Sequence, residues 1–187
     1  MKAQDLVSPK GTARLVVTLP GEESRFAGAL KRHAGEAYTT LTDTHDAFTH
    51  IARRAIDRLV IMVPFIDKDG ANWASELFDT TAAAQRVLIL RDASQLGFCG
   101  QAGPRLRTIS TSVFDYSFTE GGEDATFGET FHAKVVLADA VSGYVGSANL
   151  LRRSRYSNLE CGMLVDGPAA LAVGMLVDTV LAIARPA

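Results

Sequence analysis

The sequence predicts an α/β layered domain in which a mixed β-sheet is flanked by helices. Three observations lead there. Residues 59–63 and 87–90 are apolar runs with the length of buried strands, far short of a membrane span. Segments with helical signals are interleaved with these runs, the pattern of a layered sheet-and-helix domain. The chain of 187 residues is 47% hydrophobic, which suits one domain with a sizeable core.

Taken in order, residues 15–19 read as a strand, stopped by Pro20 and Gly21. Residues 22–34 read as a helix, with acids in the first turn and basic residues near the end. A helix over 43–58, capped by Thr42 or Asp43, feeds the strand 59–63, which ends at Pro64, Phe65, Ile66 and Asp67. Residues 71–84 predict a helix, and 86–91 and 107–113 predict strands. The polar stretch 115–129 carries Gly121 and Gly122 and reads as a mobile loop or loose hairpin. Residues 130–138, 143–146 and 159–165 predict strands, and 168–184 an apolar helix with Pro168 in its first turn. There is no internal repeat and no linker, so residues 1–187 read as a single domain.

Composition narrows the function classes. A mean hydropathy of +0.10 fits a globular, soluble chain. Residues 1–5 lack an apolar signal-peptide core, which argues for the cytoplasm. Cys99 and Cys161 have neither metal-site spacing nor the density of a disulfide scaffold, so a reduced compartment and no structural zinc are expected. The net charge of -2 does not mark a nucleic-acid protein, but its distribution is uneven. Arg152, Arg153 and Arg155 form a basic cluster, with Arg105 and Arg107 earlier; Asp115, Glu120, Glu123, Asp124 and Glu129 gather in one acidic stretch. The arginines read either as a rim that holds a polyanion or as a solvated helix face.

The most informative run begins at His132. Lys134 follows two residues on, then Asp139, then Gly146, Ser147 and Asn149. These residue types suit phosphoester chemistry without a metal. Charge builds on the non-bridging oxygens as a nucleophile attacks phosphorus, and Lys134 supplies a cation against them. His132 can attack through a neutral ring nitrogen and form a covalent phospho-histidine. Ser147 and Asn149 are short donors that can orient the phosphate, although Gly-Ser-Ala-Asn is also ordinary turn chemistry. Strand alternation would project His132 with Lys134, and Ser147 with Asn149. Asp139, at a strand end, reads as a hydrogen-bonding residue that braces the site. His33, His45 and His50 read as solvated or capping residues with no catalytic part.

This order and spacing resembles the HKD signature of the phospholipase D superfamily of phosphodiesterases. The resemblance covers the chain from about residue 40 onward, and Pro64 and Phe65 add a second, weaker point of it. It implies a phospholipase-D-like fold, no cofactor, and a catalytic set of His132, Lys134, Asp139, Ser147, Asn149 and Glu160, with Arg152, Arg153 and Arg155 toward substrate. Asn158 and Glu160 match the family's N-x-E segment, so the Glu160 carboxylate is expected to accept a ring N–H of His132; the alternative is a surface carboxylate.

Many members carry two such motifs, whereas this chain carries one. The reaction is easier with one histidine as nucleophile and another as acid. The resemblance therefore implies a twofold homodimer with one composite site, as in similar single-motif nucleases. It puts nucleic acid first as substrate, with DNA ahead of RNA, and makes a bacterial restriction or anti-phage system, with other subunits, a natural setting. A phospholipid phosphodiesterase or transphosphatidylase and a nucleic-acid-binding subunit are the alternatives; no membrane segment or lipid motif is expected. The acidic stretch 115–129 reads as a lid over the site or as a solvated loop.

Overall fold

The computed structural model describes residues 12–21, 23–35, 42–119 and 128–187. Its elements, in chain order, are β1 (Ala13–Thr18), α1 (Arg25–Ala34), α2 (Thr44–Arg54), β2 (Arg58–Val63), α3 (Lys68–Thr80) and β3 (Gln85–Leu90). A 3-10 helix (Ala93–Phe98), α4 (Ala102–Ile109), β4 (Ser112–Asp115), β5 (Phe118–Thr119) and β6 (Gly128–Glu129) follow. The last third holds β7 (Lys134–Ala138), β8 (Ser142–Gly146), α5 (Arg152–Tyr156), β9 (Glu160–Asp166), α6 (Pro168–Ile183) and β10 (Arg185–Pro186). Side-chain caps start the first three helices: Ser24 accepts from the Ala27 amide, Asp43 from Asp46 and Asp67 from Gly70.

Eight strands form one mixed sheet in the order β1-β9-β8-β7-β2-β3-β4-β10. β2, β3 and β4 run parallel; the remaining neighbours are antiparallel. β2 is covered on both faces, so its apolar run is continuous and not alternating. Leu59, Ile61 and Val63 face a core under α2, α3 and α4, where Phe48 stacks on Trp73 at 5.0 Å and meets Tyr144 edge-on at 4.9 Å. Val60 and Met62 face the opposite core, closed by Ala170, Val177 and Val180 of α6.

Several expected boundaries are corrected. The helix predicted over 43–58 ends at Arg54, because the amides of Ile56, Asp57 and Arg58 are captured by the Asp139 carboxylate. The helix predicted over 71–84 begins earlier, at Lys68, where Asp67 caps it, and stops at Thr80. The strand predicted over 107–113 is overturned: residues to Ile109 belong to α4, which buries Ala102 and Leu106 and tolerates Pro104 in its first turn. Only from Ser112 does the chain join the sheet. The strand predicted over 130–138 starts at Lys134, since the partner strands end at that level: Met62 pairs with Val135, and Gly146 with Lys134. The 3-10 helix and β10 have no counterpart in the sequence reading, whereas α5 matches the helix face that was one reading of Arg152, Arg153 and Arg155.

β5 and β6 pair at the base of the stretch 115–129, so its ends form a hairpin. Glu120, Gly121, Gly122, Glu123 and Asp124, on which the lid reading rested, lie outside the described residues. The acids that are described serve the fold. Asp115 accepts from the amides of Ala93 and Ser117 and faces Arg185 at 3.6 Å. Burial pushes its carboxyl up, but these hydrogen bonds and the Arg185 charge outweigh burial and hold it below the usual range. Glu129 accepts from the Tyr116 hydroxyl. No helix among the described residues is long and apolar enough to cross a membrane.

Candidate active site at one edge of the sheet

β1, β2, β3 and β8 end, and β7 and β9 begin, along one edge of the sheet. That edge gathers His132 and Lys134 (β7 and the residues before it), Ser147 and Asn149 (after β8), Glu160 (β9), Phe65 (after β2) and Arg91 (after β3). Loop residues held on the ends of packed strands are a usual way to position a reactive group.

His132 lies just outside the strand and is exposed, whereas Lys134 opens it and is 5% exposed. Strand alternation therefore does not align the pair; the Lys134 side chain does, by folding back. Its Nζ lies 2.9 Å from His132 Nδ1 and 3.2 Å from Nε2, and donates to the His132 carbonyl at 2.8 Å. An ammonium can only donate, so a ring nitrogen facing it accepts through its lone pair. Burial draws the Lys134 ammonium below the ordinary lysine range, and the nearby Glu160 charge offsets part of that. The His132 ring meets Phe65 edge-on, with centroids 6.0 Å apart.

Glu160 is 5% exposed and does not accept from His132. Its carboxylate accepts from Ser147 Oγ at 2.5 Å and from Asn158 Nδ2 at 3.2 Å. Ser147 Oγ in turn accepts from the Cys161 amide at 3.0 Å. Ser147 and Asn149 lie beyond the end of β8, so alternation does not align them either. Asn149 Oδ1 is buried with no partner among the described residues.

The loop that carries these residues is held from two sides. Gly146 and Gly162 pair across the ladder, and a Cβ on either would fall within 2.3–2.4 Å of Tyr144, whose ring fills the space. The Tyr144 hydroxyl accepts from the Ala148 amide at 3.4 Å, and burial pushes the phenol up to about 12. On the other side, Asp67 donates its amide to the Leu150 carbonyl and accepts from the Arg152 amide. A Cβ at Gly70 would lie 1.6 Å from the Leu150 oxygen, so the first turn of α3 packs backbone to backbone against the loop. Asp67, Gly70 and Tyr144 thus position the site without any signal in the motif spacing.

Two of the three arginines expected at the substrate are turned to carboxylates of α3. Arg152 pairs with Asp69 at 3.2 Å, and Arg155 with Glu76 at 3.1 Å while lying over Trp73. Arg153 is exposed and has no ion pair among the described residues. His33, His45 and His50 sit on α1 and α2; His45 lies beside Trp73, with ring centroids 6.1 Å apart. No group of three or more His, Cys, Asp or Glu side chains among the described residues is placed to hold a metal ion.

Asp139, read from the sequence as a hydrogen-bonding brace and placed by the resemblance in the catalytic set, makes its hydrogen bonds away from His132 and Lys134. It sits at the far end of β7 from Lys134, in the turn to β8, with φ of 50°. Its carboxylate accepts from three consecutive amides at 2.6–3.1 Å. Asp139→Ala leaves those amides without an acceptor and puts alanine in left-handed backbone. The expected cost is at least about 1.5–3 kcal/mol of stability, read as a lower melting temperature, with turnover of the remaining folded protein unchanged. A variant of native stability with lost turnover would contradict this.

Comparison with known proteins places the chain by family and by fold. The family described as cardiolipin synthase, PLD-like domain, matches residues 48–174, which include every site residue named above. NucT from Helicobacter pylori has a similar structure, with a TM-score of 0.62 and 14% identity, covering 95% of this chain and 100% of that one. Nuc from Salmonella typhimurium, a phospholipase D family member, has a TM-score of 0.56 and 14% identity, covering 95% and 99%. Phosphatidylserine synthase from Haemophilus influenzae Rd KW20 has a TM-score of 0.54 and 13% identity, covering 95% of this chain and 40% of that one. At such identities the likeness is one of fold. No curated protein matches the chain.

Proposed function

This chain belongs to the phospholipase D superfamily of phosphodiesterases, and we propose that it is a nuclease that cleaves phosphodiester bonds without a metal, through a phospho-His132 intermediate. The observation that carries the reading is the His132–Lys134 pair at 2.9 Å on an open sheet edge. When a phosphodiester enters, its non-bridging oxygens take over the Lys134 hydrogen bonds and free the ring nitrogen. That nitrogen attacks phosphorus, a P–N bond forms, and the P–O bond to the leaving oxygen breaks. The leaving oxygen takes a proton from an acid on the opposite side. Water then attacks the phospho-histidine, the P–N bond breaks, and the proton from water returns to that acid. Asn149, through its Nδ2 donor, and Ser147, once its hydroxyl turns from Glu160, are the short donors that orient the phosphate.

The required acid supports a twofold homodimer, in which His132 of a second copy completes the site. An apolar surface beside the same edge is consistent with such a partner. Leu15, Met163 and Val145 pair across three strands and are 47%, 38% and 37% exposed. Leu171, Met175 and Leu176 of α6 are exposed as well, on a helix that carries one charged residue, Asp178.

Nucleic acid leads as substrate because the single-motif members that the chain resembles are nucleases; a restriction or anti-phage system is the setting this implies. The name of the matched family makes phospholipid the competing reading. One experiment separates them: purified protein with labelled single- and double-stranded DNA, RNA and cardiolipin-containing vesicles, all with excess chelator. Cleavage of DNA with intact vesicles is the expected result. Headgroup release without strand cleavage would replace the nuclease reading with the lipid one.

A further inference from the structure

We infer that Arg91 binds a second phosphate of the substrate, the one next to the phosphate being cleaved, and so makes the site selective for a polynucleotide strand; this rests on the nuclease reading. Across the sheet edge the order is β7, β2, β3, and the side chains follow it: His132 and Lys134, then Phe65, then Arg91. Neighbouring strands lie about 4.8 Å apart, so the backbone of Arg91 is about 10 Å sideways from that of Lys134. The guanidinium carbon lies over the Phe65 ring, 4.2 Å from its centroid, and the same ring meets His132 edge-on.

Stacking fixes the plane of the guanidinium but leaves its N–H donors at the rim free. Among the described residues Arg91 has no carboxylate partner, unlike Arg58, Arg105, Arg152, Arg155 and Arg185. The spacer is itself held in place. Gln95 Nε2 donates to the Pro64 carbonyl at 3.0 Å, and its Oε1 accepts from the Ile66 amide at 3.2 Å, so both peptides flanking Phe65 are pinned. The 3-10 helix after Arg91 supplies that glutamine. The result is a preorganised cation displaced along the edge from the reacting pair. A phosphate against His132 already has Lys134, and the guanidinium sits where a strand running along the edge would bring its next phosphate.

The test uses the full chain, with an oligonucleotide and with bis(4-nitrophenyl) phosphate, which has one phosphate only. Wild-type cleavage of the oligonucleotide is the check on the nuclease reading itself. Arg91→Gln should raise KM for the oligonucleotide by roughly tenfold with kcat within about twofold, leave the small diester unchanged, and lower the salt dependence of binding by about one phosphate contact. Arg91→Lys should restore part of the affinity. Equal losses on both substrates would mean that Arg91 serves the reacting centre or the fold, and unchanged KM on both would mean that it touches no substrate; either overturns the inference. A thermal melt of Arg91→Gln identifies a folding defect, in which case the Arg91→Lys comparison decides by the same KM ratio.

Discussion

His132→Ala removes phosphodiester cleavage, by at least about a thousandfold, and leaves the melting temperature close to that of the wild type. The two halves of this expectation have separate causes. His132 is exposed and outside the strand ladder, so its ring contributes little buried area to either core. Lys134, a buried charge it touches, keeps the backbone carbonyl of residue 132 as an acceptor at 2.8 Å. Turnover is expected to depend on the ring, because the proposed covalent intermediate forms on its nitrogen. Wild-type cleavage should persist in excess chelator, and acid-labile phosphate on the protein should appear in a rapid quench and be missing from the variant. Cleavage that stops with chelator and returns with magnesium would end the proposed mechanism.

The second large effect concerns assembly. The wild type is expected to sediment at about twice the 20.0 kDa chain mass. A charge in the exposed apolar row, as in Met163→Arg, should yield a folded monomer that has lost activity on every substrate, since each monomer lacks the second histidine. Its loss should match that of His132→Ala, although Met163 lies on the sheet face opposite Gly162 and touches none of the reacting groups. Mixing His132→Ala with Lys134→Ala subunits should not restore cleavage, because each mixed site stays incomplete. A fully active wild-type monomer, or full activity in a monomeric Met163→Arg, would refute the composite site.

The strands read best from sequence were those whose environment is uniform. β2 from Leu59 and β3 from Val87 are apolar because both faces are covered there, and a continuous run is visible without knowing the partners. Helix α6 was legible for a similar reason, as an apolar stretch with Pro168 in its first turn. Residues 102–109 were not legible. Arg105, Arg107 and Thr108 break any apolar stripe, and the segment is helical because Ala102 and Leu106 find the core. The start of β7 was misplaced since a strand begins where its neighbours offer hydrogen bonds, and that depends on where β2 and β8 stop.

By itself the sequence determined the layered α/β class, the motif residues and the chemistry those residue types can perform, because side-chain identity and local periodicity are properties of the chain. Only the tertiary structure decided which of them meet. It showed what Asp139, at the strand end where the sequence put it, holds: three consecutive amides leading into β2. It gave Glu160 to Ser147 and Asn158, and Arg152 and Arg155 to α3. It also brought in Asp67 and Arg91, which follow β2 and β3, and set Phe65, already part of the resemblance, against His132. The physical reason is the same in each case: a carboxylate or guanidinium is satisfied by whatever opposite charge or amide the packed sheet places within about 3 Å, and register, not spacing along the chain, sets that neighbour.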